Sequence, residues 1–261
     1  MTDVLAGRTA LVTGAGRGIG RAVALGLADA GADLILLARS ADQLEETRAL
    51  LAERGLARGG ALVITADLAQ EEERTRSIEI ALARGRIDVL VNNAATVEPL
   101  GATTEIPAAE LRWAFEVNVF APIALTTAVL PGMTDAGWGR VVNVSSGIAA
   151  RPEAMPRGNA YAATKAALEA HTINLAAEVR GTGVTVNVYR PGRVETAMQE
   201  WIRAQDPARI GAALHGRFTH FAAAGELISP EESAAGLLER LGGQETGAVW
   251  EAEDPAAARP A

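Results

Sequence analysis

The chain has 261 residues, of which 49% are hydrophobic and 21% are charged, a composition typical of one globular α/β domain with a large core. Its formal net charge of -8 argues against a nucleic-acid partner. The absence of cysteine excludes disulfides and thiolate chemistry, and three scattered histidines lack the spacing of metal ligands. No apolar run approaches the length of a membrane span and no secretion signal is visible, so a cytoplasmic protein without metal is predicted.

The first stretch with clear structure is an apolar strand at Thr9–Thr13, followed by a glycine-rich turn, a helix that ends near Ala30 and a second buried strand at 33–37. This order predicts a βαβ unit with a glycine-rich first turn. Glycines there let the backbone approach a pyrophosphate, whose charge is stabilised by the helix N-terminus. We therefore predict a dinucleotide site rather than a flexible loop, formed by Gly14, Arg17, Gly18, Ile19 and Gly20.

The second strand is followed by Arg39 and Ser40, at the point where an NAD site commonly has an acidic residue for the ribose hydroxyls. Arg39 and Arg17 instead offer two guanidiniums that can bind a 2′-phosphate. This charge pattern favours NADP over NAD. The alternative is that both are ordinary surface arginines and that Asp42 reaches the ribose.

The alternation of helices and strands continues along the chain. Helices are predicted at 42–57, 71–84, 107–130, from Tyr161 to about 180 and at 231–241, and strands at 61–65, 88–91, 140–144, 184–189 and 247–250. The pattern predicts a doubly wound α/β fold, with a seven-stranded, mainly parallel sheet and helices on both faces. We predict a single domain over 1–250, a mobile helical flap at about 197–225 for substrate selection and a disordered tail at 251–261.

Polar residues follow several of these strands, and ligands of parallel sheets bind at the carboxyl ends of strands. Asp67 follows the third strand, Asn92 and Asn93 end the fourth, and the pair Ser145 and Ser146 follows the fifth. Asn118 lies within the helical segment at 107–130, where a buried asparagine either caps a kink or joins a polar network.

Lys165 is the only lysine of the chain, and Tyr161, one of two tyrosines, lies four residues before it in an alanine-rich run that predicts a helix. The two side chains should therefore point into the same space. A neighbouring cation favours the phenolate and lowers the tyrosine pKa from near 10, which suits proton exchange at neutral pH. On this helix alone, an exposed Tyr–Lys pair without function is an equally good interpretation.

Taken together, these motifs resemble the short-chain dehydrogenase/reductase family over about residues 6 to 240. The resemblance implies a Rossmann fold that binds NADP(H). It also implies a catalytic tetrad of Asn118, Ser146, Tyr161 and Lys165, with the second serine of the pair chosen over Ser145. The cofactor residues that it implies beyond the turn are Arg39, Ser40, Asp67, Leu68, Asn93, Ala94, Tyr161, Lys165, Pro191, Gly192, Val194 and Thr196.

The chain departs from the family pattern at two places. Ala95 replaces the usual glycine after Asn-Asn-Ala, and the segment 249–252 replaces a Val-Asp-Gly-Gly-like element that helps to build tetramers. The second departure argues against the tetramer contact of the family, so a homodimer through the helices of Asn118 and Tyr161 is expected beside the family's homotetramer.

The predicted function is the reversible, NADPH-dependent reduction of a ketone to a secondary alcohol. Tyr161 would be the acid, Ser146 would stabilise the carbonyl oxygen, and Lys165 would hold the ribose and lower the tyrosine pKa. By the resemblance, Asn118 would order a water that links Lys165 to solvent. A 3-oxoacyl thioester or a bulky cyclic ketone is the default substrate.

Three other functions remain open from the sequence. They are a non-catalytic NADP-binding sensor, an imine reductase, and an epimerase or dehydratase of a longer related fold, which the short chain and Arg39 disfavour. Candidates for the substrate pocket are Val97, Ala149, Met155, Trp201, Phe218 and Phe221, with Arg193 or His215 for a polar group.

Overall fold

The structure is a computed structural model that describes residues 5–55 and 60–252. Within these ranges the strands are β1 Thr9–Thr13, β2 Asp33–Ala38, β3 Leu62–Thr65, β4 Val89–Asn92, β5 Gly139–Val144, β6 Val184–Arg190 and β7 Val249–Glu251. The α-helices are α1 Gly18–Asp29, α2 Ala41–Glu53, α3 Glu71–Ala83, α4 Ala108–Phe115, α5 Ala121–Asp135, α6 Asn159–Glu178, α7 Ala197–Arg203, α8 Pro207–Ile210, α9 Ala212–Ala223 and α10 Pro230–Leu241.

The seven strands form one sheet in the order β3-β2-β1-β4-β5-β6-β7, and every neighbouring pair is parallel. The predicted doubly wound fold is confirmed, with a sheet that is parallel throughout. All six residues of β5 are buried, as expected for a strand covered on both faces. The strand order reverses between β1 and β4, which opens a crevice at their carboxyl ends.

Helices cover both faces of the sheet and bury two separate cores. Leu27 of α1 and Leu237 of α10 belong to the core on one face. Leu125 of α5 and Leu175 of α6 belong to the core on the other face. The sheet is therefore a rigid platform, and its carboxyl edge is left free for a ligand.

The predicted flap forms three helices, α7, α8 and α9. Ile202, Ile210 and Leu214 from these helices are buried in one apolar cluster with Met155 and Tyr161. The flap therefore packs directly over the loop and helix that carry Tyr161. Its mobility stays a prediction.

Several predicted boundaries shift in the structure. The second helix ends at Glu53, because Gly55 adopts a positive φ of 68° just beyond it, a common helix stop; residues 56–59 lie outside the described residues. The strand β7 includes Glu251, where the tail was predicted to begin. Residues 253–261 of that tail also lie outside the described residues.

The helical segment that was predicted to end at residue 130 continues to Asp135, and a π-helical turn at Glu116–Phe120 joins α4 to α5. Contrary to the prediction, the helix Ala108–Asp135 is long and apolar enough to span a membrane, with a mean hydropathy of 1.5 in its most apolar window. Of that window, 44% is buried inside the protein, and Leu125, Val129 and Met133 pack in the core beside the sheet. Its apolar character is thus that of a core helix.

Candidate active site

A cleft of about 650 Å³ opens along the carboxyl edge of the sheet. Its walls come from the ends of β1, β2, β4, β5 and β6, from α6 and from the flap. Sixteen of the predicted cofactor residues line it: Gly14, Arg17, Gly18, Ile19, Arg39, Ser40, Asp67, Leu68, Asn93, Ala94, Tyr161, Lys165, Pro191, Gly192, Val194 and Thr196. Gly20 is buried just behind this wall.

The glycine-rich turn forms a cradle that side chains would fill. Gly14 and Gly18 have positive φ values of 65° and 55°, which residues with a Cβ rarely adopt. A Cβ on Gly20 would lie 2.2 Å from the Gly14 carbonyl oxygen. The N-cap residue of α1, Arg17, makes no side-chain cap, so the first amides of the helix remain available to an anion. This cradle fits the pyrophosphate of a dinucleotide.

The end of the cleft beside β2 carries positive charge. Arg17 and Arg39 are both exposed and line it, whereas Asp42 does not. The preference for NADP over NAD stays a prediction. Ser40 caps α2 by accepting a hydrogen bond from the Gln43 amide, and Gln43, which the sequence reasoning missed, also lines the cleft.

Helix α6 and the tip of β5 bring three predicted catalytic residues together. Tyr161 and Lys165 are buried on one face of α6, and the Lys165 Nζ lies 5.8 Å from the centroid of the Tyr161 ring. The Lys165 Nζ donates a hydrogen bond to the Val144 carbonyl oxygen at 2.8 Å. The Ser146 side chain lies close enough to Tyr161 for its hydrogen-bonding interaction to lower the pKa of the phenol.

The structure separates the two serines at the tip of β5. Ser145 donates a hydrogen bond to Oε1 of Glu169 at 2.7 Å. Ser146, next to Tyr161, accepts a hydrogen bond from the Ile148 amide at 3.3 Å, which fixes the turn that follows β5. This geometry is the one that the choice of Ser146 requires.

The pKa of Tyr161 moves against the prediction. Burial raises it above its ordinary value of 10, and the hydrogen bond with Ser146 lowers it by less. Burial also lowers the pKa of Lys165 to about 8, against the opposing effect of the Glu169 charge. The net direction for Tyr161 is therefore upward, set by desolvation of the phenolate, and the lowering effect of Lys165 on the tyrosine pKa stays a prediction.

Asn118 lies in the π-helical turn and is completely buried. Its side chain accepts a hydrogen bond from the Thr96 amide at 2.8 Å and donates to the Thr96 carbonyl and to the Thr164 hydroxyl. Of the two sequence alternatives, the polar network is thus the one found. Both N–H groups of the amide are engaged within the protein, and the water-ordering role stays a prediction.

The substrate candidates divide between the cleft and its surroundings. Val97, Met155 and Phe218 line the cleft. The five that do not are Ala149, Trp201, Phe221, Arg193 and His215.

The polar candidates are held elsewhere by partners of their own. The Arg193 guanidinium pairs with Glu226 at 2.5 Å and stacks on the Phe221 ring at 4.2 Å. The His215 Nε2 is 3.0 Å from the Arg203 carbonyl oxygen. Neither side chain is therefore placed to meet a substrate in the cleft.

The family model described as short chain dehydrogenase matches residues 8–207. The chain belongs to the short-chain dehydrogenase family. It is 38% identical over 221 residues to the 3-oxoacyl-(acyl-carrier-protein) reductase FabG of Pseudomonas aeruginosa, covering 82% of this chain and 85% of the relative. It is also 38% identical over 197 residues to a short chain dehydrogenase of Pseudocercospora fijiensis, covering 74% of this chain but only 62% of that relative's length.

Solved structures of similar proteins include nicotinamide complexes. A protein from Beutenbergia cavernae, described as an NAD(P)-dependent gluconate 5-dehydrogenase and solved with NADP, is 34% identical with a TM-score of 0.83 over 98% of both chains. The L-sorbose reductase of Gluconobacter frateurii, solved with NADPH and L-sorbose, is 26% identical with a TM-score of 0.85 over the whole of both chains. The fold and an NAD(P)-dependent oxidoreductase class are thus shared.

In this short-chain dehydrogenase the substrate end of the cleft is mainly apolar. Besides the three residues predicted, it is lined by residues that the sequence reasoning did not assign to the pocket: Trp113, Val117, Ile148, Met198, Gln199 and Ile202. Trp113 and Val117 are four residues apart on one helical face, a spacing that could have indicated a shared wall. The flap residues offered no comparable signal.

Proposed function

We propose that this short-chain dehydrogenase reduces a ketone reversibly to a secondary alcohol with NADPH, and that Tyr161 is its acid and base. The observation that carries the proposal is the convergence of Tyr161, Ser146 and Lys165 on one wall of a cleft that also holds the glycine cradle. A binding module would need the cradle alone. The half-buried hydroxyl of Ser146 and the buried phenol and amine of Tyr161 and Lys165 add the groups that carbonyl reduction requires.

Each side chain has a distinct role in this proposal. A bound nicotinamide dinucleotide would supply the hydride for the carbonyl carbon. Ser146 donates a hydrogen bond to the carbonyl oxygen and stabilises its developing charge. Tyr161 gives its proton to the same oxygen, and its raised pKa keeps the phenol protonated at neutral pH, as an acid must be. Lys165 holds the ribose hydroxyls and provides the nearby positive charge.

Preference for NADPH is the second part of the proposal. Arg17 and Arg39 give the β2 end of the cleft two cations that match a 2′-phosphate. The Beutenbergia and Gluconobacter proteins, solved with NADP and NADPH, are consistent with this preference. Fluorescence titration with NADPH and NADH tests it: we expect tighter binding of NADPH, and equal affinities would refute it.

The third part concerns the substrate class. The wall formed by Val97, Met155, Met198, Ile202 and Phe218 favours a bulky apolar ketone over a polyol such as the L-sorbose of the Gluconobacter enzyme. A cyclic ketone or a 3-oxoacyl thioester, the substrate class in the name of the Pseudomonas relative, fits this wall.

The decisive assay follows NADPH oxidation at 340 nm with a panel of cyclic ketones, a 3-oxoacyl thioester, L-sorbose and a cyclic imine. Turnover of the apolar ketones above the others is the expected result. NADPH binding without turnover across the panel would instead support a sensor, and turnover confined to the imine would support an imine reductase.

A further inference from the structure

Glu169 lies one helical turn after Lys165 and two turns after Tyr161, on the same buried face of α6. Its two carboxylate oxygens are fully used inside the protein. Oε1 accepts hydrogen bonds from the Ser145 hydroxyl at 2.7 Å and from the Arg190 Nε at 2.9 Å, and Oε2 accepts one from the Arg190 Nη2 at 2.8 Å. The carboxylate thereby joins α6 to the tips of β5 and β6.

The residues on either side of Ser145 are both parts of the site. Val144 supplies the carbonyl oxygen that accepts the hydrogen bond of Lys165, and Ser146 supplies the hydroxyl beside Tyr161. Fixing the Ser145 side chain therefore fixes the backbone that presents these two groups. Displacement of a reacting group by a fraction of an ångström lowers the reaction rate. The hydrogen bond that fixes Ser145 should therefore affect catalysis.

We propose that Glu169 is a positioning residue for the carbonyl reduction proposed above, on which this inference rests: its carboxylate sets the β5 tip through Ser145 and places a negative charge one helical turn from Lys165. Its side chain does not line the cleft. Its hydrogen bond to Ser145 holds the backbone of the β5 tip in position, and its negative charge acts electrostatically on the Lys165 ammonium.

Glu169 is the anion that acts on the charge state of Lys165. On its own helix, Lys165 faces Glu169 and the phenol of Tyr161. From β6, Arg190 pairs with Glu169 on one side and with Glu251 of β7 on the other. Burial favours the neutral amine of Lys165, and the Glu169 charge opposes this by raising its pKa. Loss of that charge should therefore release the lysine proton at lower pH.

Two substitutions separate the two effects. Glu169→Gln keeps an oxygen that can accept the Ser145 hydrogen bond but removes the charge. Ser145→Ala removes the hydrogen bond but keeps the charge. Glu251→Gln is the matched control, because it also removes one carboxylate partner of Arg190 yet contacts neither Ser145 nor Lys165, and its side chain is mostly exposed.

The single lysine of the chain allows a direct measurement that does not depend on turnover. Protein labelled with ¹³C at lysine Cε gives one side-chain lysine signal, whose titration reports the Lys165 pKa. We expect a pKa near 8 for the wild type and for Glu251→Gln. Glu169→Gln should lower it by about one unit, and an unchanged value in folded Glu169→Gln would overturn the charge role.

Steady-state kinetics test the geometric role. Ser145→Ala should lower kcat by about tenfold with little change in the Lys165 pKa or in NADPH affinity. A wild-type kcat in Ser145→Ala would overturn the geometric role of Glu169. This test remains decisive even if Glu169→Gln fails to fold. If the wild-type enzyme turns over no ketone, the proposed function fails, whereas the lysine titration still decides the charge role of Glu169.

Discussion

Tyr161 and Lys165 are buried together, and burial moves their pKa values in opposite directions. The phenol pKa rises and the amine pKa falls to about 8, so both groups are shifted toward their neutral forms. A neutral phenol beside Ser146 is ready to donate a proton in the direction of reduction. The Lys165 amine, in contrast, is mainly cationic only below its pKa of about 8.

This shift predicts a pH dependence for the use of cofactor. The pKa of Lys165 is lowered from 10.5 to about 8, so its charge is present below that pH and is lost as the pH rises through it. Because the proposed role of the cation is to bind the ribose and attract the anionic cofactor, kcat/KM for NADPH should fall above about pH 8. Rates measured between pH 6 and pH 10 check this, and a constant kcat/KM up to pH 10 would contradict it.

Cofactor preference should depend on Arg39. Arg39→Asp removes the cation that we propose for the 2′-phosphate and adds an acceptor for ribose hydroxyls. We expect the ratio of kcat/KM for NADPH to that for NADH to fall by about 10- to 100-fold, the range of one charge-assisted hydrogen bond. The same substitution at Arg48, an exposed arginine outside the cleft, is the control and should leave the ratio unchanged.

At the residue scale, the sequence was a good guide to which groups lie at the cleft and a poor guide to their energetics. The spacing of Tyr161 and Lys165 predicted a shared space because helix geometry is local. The direction of the Tyr161 pKa could not be predicted, because desolvation depends on the cluster of Met155, Ile202 and other residues distant in sequence.

At the scale of elements, the site is held by contacts between segments far apart in the chain. Asn118 in the π-helical turn joins the loop after β4, through Thr96, to α6, through Thr164. π-turns inside α-helices are often found at functional sites. The sequence predicted one uninterrupted helix here, because the turn depends on these partners and not on local propensity.

Arg157 joins the loop before α6 to the flap. It has a positive φ of 68°, unusual for a residue with a side chain. Its Nη1 donates hydrogen bonds to the carbonyl oxygens of Ala208 and Arg209 in α8, at 2.9 and 2.7 Å. A residue in this conformation that also binds the flap is expected to hold it in place over the cleft.

Arg157→Ala should therefore loosen the flap. We expect faster hydrogen exchange in residues 197–225 and a KM for the ketone that rises more than kcat falls, because substrate binding depends on the flap wall. Arg217→Ala is a suitable control, since this arginine lies on the exposed side of α9. Exchange rates equal to those of the wild type would show that Arg157 does not hold the flap.

For the molecule as a whole, three of the six large apolar side chains that are exposed in the described residues lie on the helices beside the site. Leu111 of α4, Phe120 of the π-turn and Ile173 of α6 are all large, exposed and apolar. Scattered exposed side chains are common, but three on adjacent helices are suited to a protein interface. They agree with the expectation of a homodimer through the helices of Asn118 and Tyr161.

Light scattering after size exclusion tests this expectation. We predict a mass about twice the 27.0 kDa of the chain, or a higher multiple for a tetramer. Phe120→Asp should shift the mass toward the monomer, because it places a charge in the interface. Ile80→Asp, at an exposed apolar residue of α3, should not. A wild-type mass equal to one chain would contradict the prediction.

The strand order and the site at the carboxyl edge were predictable, because buried parallel strands and glycine turns leave strong local signals. The residues that form the apolar wall of the cleft could not be predicted, because they depend on how the flap packs onto the site. Trp201, the most prominent flap residue in the sequence, packs against the apolar cluster, whereas Met198 and Ile202 line the cleft.

The most direct test of the central claim is a comparison of wild type and Tyr161→Phe in NADPH binding and in ketone reduction. The substitution removes only the hydroxyl of a buried ring. We expect unchanged NADPH affinity by fluorescence and a kcat lowered by about 1,000-fold. A wild-type kcat in Tyr161→Phe would contradict it, because the proton would then reach the carbonyl oxygen from another group.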